Sequence, residues 1–292
     1  MATAEVLRTP VPRRTASYVP PFVATSLVLA AEWLVFHERL RALTLNRESV
    51  QTYVLIVSAA LLLLASRRLK LSHAIDAGGI ALVTTSLTAL IALDAAHRPY
   101  APTTPLLMAV CTYGLARTLF GAAQRKPFAF PSAYLLLMTP IPTPVVVLID
   151  MPLQNLSAAL AAHATALFGV PVQRTGTIIG LAHSEISLRI IGDCNGLHSA
   201  IAIFAVATLL GWLLQARPLQ WLTLIASGIL LSYAANIVRL TTVLLLLNHY
   251  GEHFAQHLST FEALYGALLF ALCVFALLKI ARWIGCKQFR EL

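Results

Sequence analysis

The chain has 292 residues, of which 58% are hydrophobic and only 11% charged. So much apolar surface exceeds what a soluble core of this size can bury, which excludes an ordinary soluble domain and makes lipid the solvent. The net charge of +9 does not signal nucleic acid, because the basic residues stand in short clusters between apolar runs, as topology signals do.

Met1 to Tyr18 is polar and contains arginine, and the apolar stretch after it has no small-residue cleavage site, so a retained first helix is expected. Runs long enough to cross the bilayer occur near 18–36, 50–66, 74–95 and 103–122. Four more lie near 131–150, 195–215, 219–247 and 259–282, the first of them distorted by Pro140, Pro142 and Pro144 into a broken or re-entrant helix. The expected fold is therefore all-α: one integral domain over 1–292, a polytopic bundle of about eight transmembrane helices. Between the fifth and sixth spans, Met151 to Leu160 reads as an amphipathic helix lying at the interface. After it Ile186, Leu188 and Ile190 alternate with Glu185, Ser187 and Arg189, and Gly180 to Ser184 offers a turn, which predicts a small β-hairpin before the sixth helix.

Thirteen Lys and Arg fall on one set of alternate loops and termini and six on the other. The richer side is expected to be cytoplasmic, which puts both termini inside and the hairpin outside. The four cysteines, at 111, 194, 273 and 286, show no CxxC spacing, so neither a disulfide scaffold nor a zinc finger is indicated.

Candidate chemistry gathers in the last three spans. Cys194, within Gly192-Asp-Cys-Asn-Gly-Leu-His-Ser199, opens the sixth span, and the positive end of a helix dipole favours its thiolate. A buried cysteine is ordinarily an inert packing residue, but polar Asp193, Asn195 and His198 surround this one. Asp193 can cap the helix or orient a partner, while its charge opposes the thiolate, so a cation is needed nearby. Arg239, inside the seventh span, is that cation; an arginine there is costly unless paired or hydrated. Asn236, one turn earlier, shares its face. His249, His253 and His257 precede the eighth span, and one of them is the expected base. Their spacing of four also invites a metal site, against which Gly251 interrupts the helix that would align them.

Pro152-Leu-Gln, Gly169-Val-Pro-Val, Asp193-Cys-Asn-Gly-Leu, Asn236-Ile-Val-Arg and His257, taken in order, resemble the exosortase and archaeosortase family over roughly residues 130–280. The resemblance divides the chain into accessory spans over 18–128 and a catalytic core over 129–285. It implies a bacterial inner-membrane cysteine transpeptidase in which Cys194 is the nucleophile, Arg239 stabilises the oxyanion or thiolate, and His257 is the general acid/base, supported by Asp193, Asn195, Asn236 and His253. It implies no cofactor and no metal. Three departures are visible: Asn195 stands where serine is more usual, His198 where arginine is common, and Gly266 lies further beyond His257 than the single helical turn that ordinarily separates the family's histidine from a glycine.

The implied partners are exported proteins anchored by a C-terminal sorting helix with a basic tail, as in PEP-CTERM sorting, with a link to exopolysaccharide assembly. Cleavage near the outer membrane face would give a thioester that passes to an acceptor or to water. Two other readings start from the same residues. A metal-dependent membrane hydrolase would use the three histidines, and a transporter or assembly factor for surface polysaccharide would use Arg239 and Asp193 along a substrate path.

Overall fold

The computed structural model describes residues 19–44, 50–67, 69–72, 76–96, 103–182, 187–190, 196–286 and 289–290. The chain is mostly helical: α1 (Pro21–Thr44), α2 (Val50–Ser66), α3 (Ala77–Ala95), α4 (Thr103–Phe120), α5 (Lys126–Tyr134), α6 (Thr143–Leu167), α7 (Leu197–Leu213), α8 (Pro218–Tyr250), α9 (Glu252–Ala255) and α10 (Leu258–Trp283). Among the described residues, α3, α6, α8 and α10 are long and apolar enough to cross a membrane, and α2 and α7 are equally apolar but shorter.

The prolines divide what the sequence offers as one distorted span. α5 runs into a short 3-10 turn, Leu135–Met138, and Pro140 and Pro142 interrupt the ladder that would continue it. A new helix starts at Thr143 with Pro144 in its first turn, where the missing N–H costs nothing. That helix continues through Leu167. The amphipathic stretch from Met151 to Leu160 is thus the middle of a 25-residue helix and not a separate interfacial one, since the helix continues through Pro152.

The β structure precedes α7 and is one strand larger than a hairpin. β1 (Val172–Thr175), β2 (Ile178–Leu181) and β3 (Ser187–Arg189) form an antiparallel sheet in that order, with Val172 opposite Leu181 and Ile179 opposite Leu188. Its tight turn is at Gly176, where φ is +61°. Gly180 and Leu181, expected in a turn, belong to β2, while residues 183–186 lie outside the described residues. Ile179 and Ile190 pack with Ala158 and Ala161 of α6 and with Leu240 and Leu244 of α8. The sheet is thereby fixed beside the last turns of α8.

Two helical groups carry the core. Phe36, Leu40, Val54, Leu90 and Met108 bring α1 to α4 together, and α3 and α4 approach so closely that a Cβ on Gly79 would lie 2.8 Å from the Gly114 carbonyl oxygen. Buried Glu32 in α1 accepts hydrogen bonds from the Thr112 hydroxyl of α4 at 3.0 and 3.1 Å. The second group is α7, α8 and α10, through Ile203, Ala207, Leu224, Cys273 and Leu277. α5 joins the groups: the Tyr134 hydroxyl donates to the Ala205 carbonyl at 3.0 Å, and the Phe130 ring stacks on Trp212 with centroids 4.4 Å apart.

Candidate active site

α7 and α8 are antiparallel, and glycines set their closeness. A Cβ on Gly211 would lie 2.5 Å from the Trp221 ring, one on Gly228 would lie 2.8 Å from Ile203, and one on Gly196 would lie 3.1 Å from Asn236 Nδ2. The first turn of α7 is therefore level with Asn236. Gly196 is the N-cap residue of α7, with φ +86° and ψ −2°; this left-handed conformation suits glycine because it has no Cβ to crowd the carbonyl. The helix expected to open around Cys194 has its N-cap at Gly196 and its first residue at Leu197. Asp193, Cys194 and Asn195 themselves lie outside the described residues.

Asn236 is buried in α8, and Arg239 stands one turn beyond it, half-buried and eleven residues, about 16 Å, before the helix ends at Tyr250. Both line a cavity of about 30 Å³ between α7, α8 and α10, together with Ser199, Ser232, Gly266 and Cys273. The shared face expected for Asn236 and Arg239 is present. Gly266 leaves the guanidinium its room: a Cβ there would lie 3.9 Å from Arg239 Nη1, with no other heavy atom within 4 Å. Arg239 Nε and the Ser232 hydroxyl are sealed from solvent, and neither has a hydrogen-bond partner among the described residues. Such groups are normally satisfied by water or ligand, and this volume is about that of one water molecule.

α8 and α10 are held in register above the cavity. The hydroxyls of Thr242 and Tyr265 lie 3.2 Å apart, and Tyr265 stacks on Phe261, which meets Phe254 edge-on. This clamp fixes Gly266 against Arg239.

The histidines are placed differently. Gly251, with φ +58°, ends α8 and turns the chain into α9, so the helix that would align His249, His253 and His257 is broken. His249 is exposed in the last turn of α8, His253 is exposed in α9, and His257 is exposed as the N-cap residue of α10. The rings of His253 and His257 meet edge-on at 5.9 Å. None of the three lines the Arg239 cavity, and among the described residues no three His, Cys, Asp or Glu side chains gather as metal ligands. His198 is exposed one residue into α7. Sequence reasoning missed Ser232, Gly266 and Cys273 as cavity residues, although each falls at helical spacing from Asn236 or from its neighbours on α10.

A family model described as transmembrane exosortase matches residues 17–279. No curated protein and no solved structure matches the chain.

Proposed function

The chain belongs to the transmembrane exosortase family, and on that premise we propose that it is a membrane-embedded cysteine transpeptidase acting on exported proteins with a C-terminal sorting helix. The observation that carries this reading is the contact of Gly196, the cap of α7, with Asn236, one helical turn from Arg239. Cys194 stands two residues before Gly196 in the chain, and two peptide units span at most about 7.6 Å between Cα atoms. This short tether to Gly196 supports a reading in which the thiol acts close to the stretch of α8 that carries Asn236 and Arg239.

In this mechanism the Cys194 thiolate attacks a backbone carbonyl of the substrate, and the planar donor fork of Arg239 faces the negative charge that develops on its oxygen. Low dielectric around a membrane-embedded arginine strengthens that interaction. Asn236 holds the arginine's level on α8 and abuts the cap. Collapse of the intermediate expels an amine and leaves a thioester, which passes to an acceptor or to water. The substrate's own spanning helix keeps its cleavage motif at the depth of the site, and the charge bias of the loops puts that site on the extracytoplasmic side, with both termini inside.

The test is processing of a tagged reporter that ends in a sorting motif, a spanning helix and a basic tail, followed in membranes that contain wild type or Cys194→Ala. Processing is expected to stop in the variant. Continued processing would remove the nucleophile and with it the reaction class.

A further inference from the structure

Helical phase on α10 singles out an ionisable group one turn before Gly266, the residue that faces Arg239, which the sequence reading passed over. Glu262 is the only acid in α10, a helix apolar enough to span the bilayer. Phe261, Glu262, Tyr265, Gly266, Leu269, Phe270 and Cys273 are all wholly or partly buried, whereas Ala263, Leu264, Ala267, Leu268, Ala271 and Leu272 are exposed. Glu262 therefore lies on the inward stripe, the one whose next turns supply Gly266, Leu269, Phe270 and Cys273 to the cavity.

The spacing is equally specific. Glu262 precedes Gly266 by four residues, about 6 Å along the axis and on the same face, and Gly266 is the residue against which Arg239 Nη1 rests. A helical side chain leans toward its own N-terminus, so the carboxyl group projects beyond the guanidinium in the direction of Leu258. The Thr242–Tyr265 contact locks this register. His257 by contrast is nine residues from Gly266, about 13 Å along the axis and half a turn out of phase, which accords with its exposure. Glu262 stands four residues, about 6 Å, inside the N-terminal end of α10, and an acid carried below the membrane interface is costly and marks a functional site by default.

We propose that Glu262, rather than any of the three histidines, is the proton carrier of the transpeptidase reaction; this rests on the reading of Cys194 and Arg239 given above. The Glu262 carboxylate takes the Cys194 thiol proton, and the thiolate sulfur so formed bonds to the substrate carbonyl carbon. The carboxylic acid so formed gives that proton to the departing nitrogen as the carbon–nitrogen bond breaks. The products are a thioester on Cys194 and a free amine, and Glu262 returns to carboxylate. Arg239 and Glu262, one turn apart on facing helices, then address opposite ends of the scissile bond: the carbonyl oxygen and the leaving nitrogen.

The experiment follows the same tagged reporter in membranes containing full-length Cys194→Ala, Glu262→Gln, Glu262→Asp or His257→Gln, with processing expressed per molecule of protein. Glu262→Gln keeps shape and loses the proton, and a loss of about 10²- to 10⁴-fold is expected. Glu262→Asp, which keeps the carboxyl group, is expected to restore at least tenfold over Gln, a rescue that a purely structural role does not require. His257→Gln is expected to stay within a few-fold of wild type. If Cys194→Ala is inactive while Glu262→Gln processes within threefold of wild type, the assignment is overturned and the nucleophile reading stands. It is overturned as well if Asp restores nothing, or if His257→Gln shows the 10²-fold loss in place of Glu262→Gln. Processing by Cys194→Ala would instead sink the reaction class itself.

Discussion

Replacing Gly196 by alanine tests the contact that joins the two candidate motifs. The residue sits at φ +86°, where an L side chain costs about 1–2 kcal/mol. The added methyl would also meet Asn236 Nδ2 at 3.1 Å and Asn236 Cβ and Cγ at 3.2 Å each, closer than comfortable carbon contact, so Asn236 or the cap must move by a few tenths of an ångström. Gly176, between β1 and β2, separates the two costs: its φ is +61° and nothing lies within 4 Å of an added Cβ. Both alanine variants should lose about 1–2 kcal/mol of stability from the backbone alone, read as a lower thermal midpoint of the detergent-solubilised chain. Only Gly196→Ala should also slow reporter processing in membranes. A shift of the cap worth about 1.4 kcal/mol at the transition state gives a tenfold loss. Equal processing by both variants would refute the idea that the α7 cap sets the site.

Two further outcomes are expected. Arg239→Lys should lose at least 10²-fold in processing, because an ammonium cannot reproduce the planar donor fork at an oxyanion; a fully active lysine variant would reduce Arg239 to a counter-charge. Asp76, the N-cap residue of α3, accepts from Gly78 N at 3.0 Å and from Arg117 Nε at 2.9 Å and Nη2 at 3.2 Å, and the guanidinium holds its carboxyl below the ordinary 3.8. The folded state therefore binds fewer protons there than the unfolded state. The stabilisation is whole above the ordinary value and is lost as pH falls through the lower folded one. The gap in thermal midpoint between wild type and Asp76→Asn should be open at pH 7 and close on acidification, and a gap that widens in acid would contradict the pairing.

The membrane class of this fold was readable because lipid demands long apolar runs, and composition reports those directly. The break at Pro140 and Pro142 was readable for the same reason that proline is informative anywhere: it removes a donor and fixes φ. What followed the break was less legible. Hydropathy could not tell that Met151 to Leu160 continues α6, since a helix packed on one side by α8 and the sheet is as amphipathic as one lying at an interface. β1 escaped because Val172-Gln-Arg-Thr175 is short and mostly polar, and its pairing with β2 depends on a turn whose only local mark is Gly176. At the site, Asn236 and Arg239 announced themselves as polar residues in an apolar helix, and their shared face followed from spacing alone. The same logic applied to Glu262, which stands in an equally apolar helix, but the histidines beside it have the more familiar chemistry and drew the reading away. Only the phase of α10 against Arg239, a tertiary fact, separates an inward acid from imidazoles that point out. Glu32 was passed over likewise, because its partner Thr112 is eighty residues away in sequence.

A site of this kind must reconcile two demands that oppose each other. The proposed peptide-bond chemistry needs charged groups, and lipid penalises each of them by several kcal/mol unless it is hydrated or paired. Small residues are the means by which this bundle meets both. Gly266, Ser199 and Ser232 leave a cavity around Arg239 instead of filling it with side chain, and Gly196 lets α7 begin at the level of Asn236. Because the first turn of α7 lies level with Asn236 while α8 and α10 continue beyond it, the guanidinium stands in a small cavity between the three helices, dry enough for its field to be strong. Replacing Gly266 with leucine would fill that cavity while leaving every charged residue in place.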